Sequence, residues 1–102
     1  MNEVKINGLL DGKFTVVLSG DIDAGNADGF YNAVIEGYEA TPADLLFECA
    51  ELEFIDSTTL GTFVKILKKA KANGHKMTLV GLQSKVKKLF LICSLDKIME
   101  IA

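Results

Sequence analysis

A chain of 102 residues, 49% apolar and with one proline, has material for one hydrophobic core and not two, and its composition excludes a disordered or low-complexity protein. The net charge of −3 is unevenly spread: residues 1–56 hold twelve acids and two lysines, residues 57–102 two acids and nine lysines. Arginine is absent, which argues against a dedicated nucleic-acid binder, because its planar fork is the usual reader of guanine edges and phosphates.

No apolar run is long enough to span a bilayer, and Met1-Asn2-Glu3-Val4-Lys5-Ile6 lacks the apolar core of a signal peptide. The expectation is a cytoplasmic protein without membrane insertion. Cys49 and Cys93 both lie inside apolar segments, form no C-x-x-C pair, and read as reduced, buried packing residues.

Val4, Ile6 and Leu10, then Phe14, Val16 and Leu18, alternate with period two on either side of Asp11-Gly12. That pattern predicts a hairpin with strands over about 3–9 and 13–20. Asp23 is placed to cap a helix over about 24–39, with Ala27, Phe30, Tyr31, Val34, Ile35 and Tyr38 as its apolar stripe. Gly25, Gly29 and Gly37 weaken this helix, and Thr41-Pro42 ends it. Leu45 to Cys49 predicts a short central strand covered on both faces, with Phe54-Ile55 as buried residues at the strand's exit.

A helix from about Ser57 to Asn73 places Leu60, Val64 and Leu67 beside Phe63, Ile66 and Ala70, and its lysines favour the last turns, where cations suit the helix dipole. Met77 to Val80 reads as a strand. A third helix over about 83–93 buries Val86, Leu89, Phe90 and Cys93, while Leu91 and Ile92 widen its apolar surface. Ile98 to Ile101 reads as an edge strand or packed segment. The order ββαβαβα(β), with right-handed crossovers, predicts one α/β domain over residues 1–102 with a mixed sheet of four to five strands and three to four helices.

The junction Asp56-Ser57-Thr58-Thr59 admits two readings. Asp56 and Ser57 are short polar residues suited to accepting hydrogen bonds from the free N–H groups of a helix start. A hydroxyl at the same place, near the positive end of the helix dipole, is also suited to receiving a phosphate. Elsewhere, Asp21-x-Asp23 superficially resembles the Mg²⁺-holding pair of haloacid-dehalogenase-type phosphohydrolases. That chemistry needs a catalytic lysine and a further acidic pair, and after Asp56 the only acids are Asp96 and Glu100. No enzyme, metal or cofactor is therefore expected. His75 reads as a solvated turn residue, and the lysines of 65–71 and 85–88 as solvated faces.

The motif Phe54-Ile55-Asp56-Ser57-Thr58-Thr59-Leu60-Gly61 resembles the Asp-Ser-x-Gly-Leu-Gly signature of the STAS domain family, in particular its stand-alone anti-sigma factor antagonists. Leu18-x-Gly20-x-Ile22-Asp23, Asn73-Gly74 before Leu79-Val80-Gly81, and Val86-Lys87-Lys88-Leu89-Phe90 with Leu95-x-Lys97-Ile98 extend the likeness over the whole chain. The resemblance implies phosphorylation at Ser57, or at the neighbouring Thr58, by an anti-sigma factor that is also a serine kinase, with a phosphatase resetting it. It also implies a partner-binding surface of Asp21, Asp23, Asp56, Ser57, Thr58, Thr59, Leu60 and Gly61. A constitutive scaffold subunit of a transporter or lipid-transport complex is the alternative. The chain departs from the pattern at Thr59, where Gly is usual and where added bulk beside Ser57 is expected. It also departs at Glu48, where many members have Asp, and at Ser94, a usual Gly position.

Overall fold

The computed structural model describes residues 2–102. Strand β1 (Val4–Leu10) pairs antiparallel with β2 (Lys13–Ile22) around the predicted turn. Asp11 and Gly12 take φ of 50° and 78°, the two successive left-handed conformations that keep a two-residue hairpin in register with its strands' twist. Helix α1 (Ala27–Ala40) leads to β3 (Asp44–Ile55), α2 (Ser57–Ala72) to β4 (Met77–Val80), and α3 (Ser84–Ile92) with one 3₁₀ turn at Leu95–Lys97 to β5 (Glu100–Ile101). The sheet order is β1-β2-β3-β4-β5, parallel from β2 onward.

Each crossover advances by one strand in the same direction, and right-handed connections then put the helices on one face of the sheet. Their core is aromatic. Phe63 of α2 stands edge-on to Phe30 of α1, Phe47 of β3 and Phe90 of α3, with ring centroids 5.1 to 5.5 Å apart. Such a cluster fixes how three helices sit on one strand, because each ring abuts several others in an interior without slack. Gly37 lets α1 lie against the hairpin: a Cβ there would come within 2.5 Å of Phe14 Cζ. The glycine expected only to weaken α1 is a close-approach residue.

Several expectations are corrected. Strand β3 runs twelve residues, far past Cys49, because β2 pairs with it almost along its whole length. Only one of its faces is covered: Leu45, Phe47 and Cys49 are buried while Glu48 is exposed. Helix α1 begins at Ala27 with Asn26, not Asp23, in the cap position. Cys93 is exposed at the end of α3, and only Cys49 is buried; both are free thiols. Burial, reinforced by the adjacent Glu48, pushes the Cys49 thiol up to about 12, so it is inert packing.

His75 is half-buried rather than solvated, its Nδ1 hydrogen-bonded to the Tyr38 hydroxyl. Two α2 lysines reach across to α1: Lys65 Nζ lies 4.4 Å from the Tyr31 ring centre and Lys69 Nζ 3.0 Å from Glu39 Oε2. Ser94 takes φ 58°, the left-handed conformation that explains why glycine suits this position in the resembled pattern. Among the described residues no helix is long and apolar enough to cross a membrane.

Removing the central ring should be severe. Phe63→Ala is expected to cost about 3–5 kcal/mol, since the aromatic partners cannot collapse into the space left behind. Urea unfolding monitored by circular dichroism would show a much lower midpoint with an unchanged slope.

Candidate functional site

Strands β2 and β3 end side by side, Asp21 opposite Phe54 and Ile22 opposite Ile55. The chain then turns into α2 through Asp56, an extended residue (φ −117°, ψ −175°) in the N-cap position. Its Oδ1 accepts the Thr59 N–H at 2.9 Å, satisfying one of the orphan donors of the helix start. Its Oδ2 accepts the Ala24 N–H at 2.9 Å, in the loop after β2. One carboxylate thus ties the beginning of α2 to the exit of the neighbouring strand.

Thr59 completes the tie. It is fully buried, and its Oγ1 donates to the Ile22 carbonyl at 2.5 Å while lying 3.0 Å from Asp56 Oδ1. The expectation of added bulk beside Ser57 is overturned: the side chain points inward, between strand end and helix. The loop itself is closed by local bonds. Asp23 Oδ1 accepts the Gly25 N–H, Asn26 Oδ1 accepts the Asp23 N–H, and Asn26 Nδ2 donates to the Asp21 carbonyl. These bonds are why Asp23 does not cap α1.

The expected site residues divide accordingly. Asp21, Ser57, Thr58 and Gly61 are exposed, and Asp23 and Asp56 are half-buried along the same rim. Thr59 and Leu60 are buried beneath it. Ser57 is the first residue of α2, and among the described residues neither its hydroxyl nor that of Thr58 has a hydrogen-bond partner. Gly61 lies one turn after Ser57 on the same side of the helix, with open space where a Cβ would be. Among the described residues no three His, Cys, Asp or Glu side chains are grouped to hold a metal ion.

Phe54 departs from the expectation of a buried strand-exit residue. It is 49% exposed, not buried. Gly20 pairs with Leu52 but Asp21 pairs with Phe54, so Glu53 is an extra residue that bulges the strand and turns the phenyl ring outward. Leu52 and Ile55, three apart where a strand repeats every two, are the signal that could have found it.

The Thr59 N–H, joined by the Ala24 N–H and the Thr59 hydroxyl, holds the Asp56 carboxyl below its ordinary value, outweighing the opposing desolvation. A carboxylate depressed in this way contributes stability that is present above its unfolded-state value and lost as pH falls through its folded one. Asp56→Asn is therefore expected to lower the melting temperature at pH 7, with the gap to wild type closing in acid below about pH 4. Melting curves between pH 7 and pH 3 would show it. Thr59→Val, which removes the buried hydroxyl but keeps the shape, should cost about 1–3 kcal/mol.

A family model described as "STAS domain" matches residues 4–102. The "Anti-sigma-B factor antagonist" of Listeria monocytogenes is 32% identical over 87 residues, covering 84% of this chain and 75% of the relative. The crystal structure of an anti-sigma factor antagonist from Mycobacterium paratuberculosis superposes with a TM-score of 0.85 at 20% identity, covering 96% of this chain and 82% of its own. The phosphorylated form of the Bacillus cell fate determinant SpoIIAA superposes with a TM-score of 0.75 at 15% identity, covering 97% of this chain and 90% of its own. With its strand order, its strand-to-helix junction at Asp56-Ser57 and a family match over nearly all its length, the chain belongs to the STAS domain family.

Proposed function

We propose that this protein is an anti-sigma factor antagonist, a binding protein without a reaction of its own, whose hold on an anti-sigma factor is controlled by phosphorylation of Ser57. The observation that carries this reading is the placement of Ser57: an exposed, unbonded hydroxyl on a helix start that Asp56 and Thr59 hold rigidly to the sheet. The anti-sigma-B relative at 32% identity and the phosphorylated form of SpoIIAA, a neighbour in fold, support it.

In this reading the unphosphorylated rim docks on the anti-sigma factor and frees the sigma factor. The same partner is the kinase. The Ser57 oxygen takes the γ-phosphoryl group of ATP, ADP leaves, and the hydroxyl proton passes to a base on the kinase. A phosphatase reverses the step by hydrolysis. The phosphate adds a charge of about −1.5 to −2, and the helix N-terminus tolerates it. No lysine lies in the sequence between Lys13 and Lys65 to neutralise it, while Asp21, Glu53 and Asp56 already make the rim acidic. The added charge and bulk then disrupt a fitted interface through repulsion and desolvation. Thr59 and Leu60 act from below, by holding this surface in place.

Incubation of the purified protein with its cognate anti-sigma factor and ATP should yield a phosphopeptide containing Ser57, lost in Ser57→Ala and retained in Thr58→Ala. Ser57→Asp should weaken binding at least tenfold, about 1.4 kcal/mol. Phosphate found only on Thr58 would move the switch by one residue, and none on either would end it. Undiminished binding of Ser57→Asp to a membrane transporter complex would identify a constitutive scaffold instead.

Gly61 supplies a separate check. Nothing in the fold needs it, and a helix interior prefers alanine by about 0.5–1 kcal/mol. Gly61→Ala should raise stability by that amount yet weaken partner binding, because a methyl group one turn from Ser57 keeps the two backbones apart. Melting temperature and titration calorimetry on the same variant separate the two effects.

A further inference from the structure

We infer that Phe54 is the apolar anchor of the partner interface, seated in an apolar pocket of a partner whose surrounding surface is basic. The inference rests on the reading of the Ser57 rim as a docking surface and names what that surface grips with. Of the six phenylalanines, Phe14, Phe30, Phe47, Phe63 and Phe90 are buried, and Phe54 alone is exposed. Both tyrosines are at least half-buried, so Phe54 is the one exposed aromatic ring among the described residues.

The fold does not need the ring there. A strand without the extra residue Glu53 would keep strict alternation, whereas the register step between Gly20 and Asp21 re-aims the side chain into solvent. Strand bulges of this kind recur beside functional sites, where they redirect a side chain. Phe54 stands two residues before Asp56 and directly across from Asp21, so it belongs to the same rim as Ser57.

Its surroundings state the partner's chemistry. Asp21 opposite it and Glu53 beside it are exposed, Asp56 follows, and none of these carboxylates is in an ion pair; among the described residues the salt bridge is Lys69 to Glu39, with Lys69 in the last turn of α2. An exposed apolar ring flanked by acids without ion-pair partners matches the anatomy of an interface hot spot: an aromatic centre that a partner would desolvate, and a charged border that sets partner choice and encounter rate. A partner complementary to it offers a greasy pocket bordered by lysine or arginine. A second copy of the same rim would set acids against acids, which disfavours a symmetric dimer through this surface.

The test uses the full chain and the anti-sigma factor that phosphorylates it, titrated calorimetrically without ATP. Phe54→Thr, which keeps a strand-forming residue, is expected to lower affinity at least tenfold while leaving the melting temperature unchanged; Phe54→Tyr should retain most of the affinity. Glu53→Lys should slow association and reduce its salt dependence, as loss of steering requires. Wild-type affinity in Phe54→Thr, alongside loss of binding in Ser57→Asp, overturns the anchor and leaves the switch standing. A homodimer that Phe54→Thr dissolves without changing partner affinity also overturns it, since the ring would then serve self-association. If the wild-type chain does not bind the anti-sigma factor at all, both the anchor and the proposed function fall.

Discussion

The Asp56 carboxylate solves two problems at once. A helix that begins directly at a strand end exposes unpaired N–H groups, and the loop leaving the next strand has an amide of its own to satisfy. Asp56 accepts one hydrogen bond from each, and Thr59 reaches back from the helix to the carbonyl of Ile22. The ends of β2 and β3, the loop into α1 and the start of α2 thereby move as one body. Everything exposed on that rim, Ser57 first, inherits its position from these three bonds.

That rigidity matters to the proposed switch, which works by changing a surface and not by refolding a domain. Asp21, Glu53 and Asp56 make the rim acidic, and the sequence has no lysine between Lys13 and Lys65. Lys65 and Lys69 are engaged with Tyr31 and Glu39 of α1. Thr59 shows how a departure from a family pattern can be absorbed: a residue with a hydroxyl replaces one without a side chain, and the hydroxyl becomes part of the frame. Gly61 and Phe54 point the other way, toward solvent. One leaves space that the fold does not fill, and the other exposes a ring that the fold does not cover.

The elements that were legible in the sequence are those decided by neighbours along the chain. The hairpin follows from Asp11-Gly12 between alternating strands, α2 from its cap and apolar stripe, and β4 from a short apolar run before a glycine, each within a residue or two of its observed bounds. The start of α1 is not legible in the sequence because Asp23, Asn26 and their amides can pair in more than one way locally, and the fold selects the arrangement that also bonds Asp21. Helical periodicity predicts a buried Cys93, but α3 ends at Ile92, and beyond a helix end its periodicity no longer places a side chain. The partial burial of His75 is not legible in the sequence, because nothing nearby in the chain announces Tyr38.

By itself, the sequence determined the order of elements, the helix cap at Asp56 and the identity of Ser57 as the residue that follows it, since capping and turn chemistry act over three or four positions. Tertiary structure alone decided what those residues meet. The length of β3 depends on β2 pairing beside it, the inward turn of Thr59 on Ile22 from a distant strand, and the exposure of Phe54 on a register step between two strands. The physical reason is common to all three. Hydrogen bonds across a sheet join residues far apart in the chain, and one inserted residue in such a ladder reverses which face a side chain presents, something no local pattern records unambiguously.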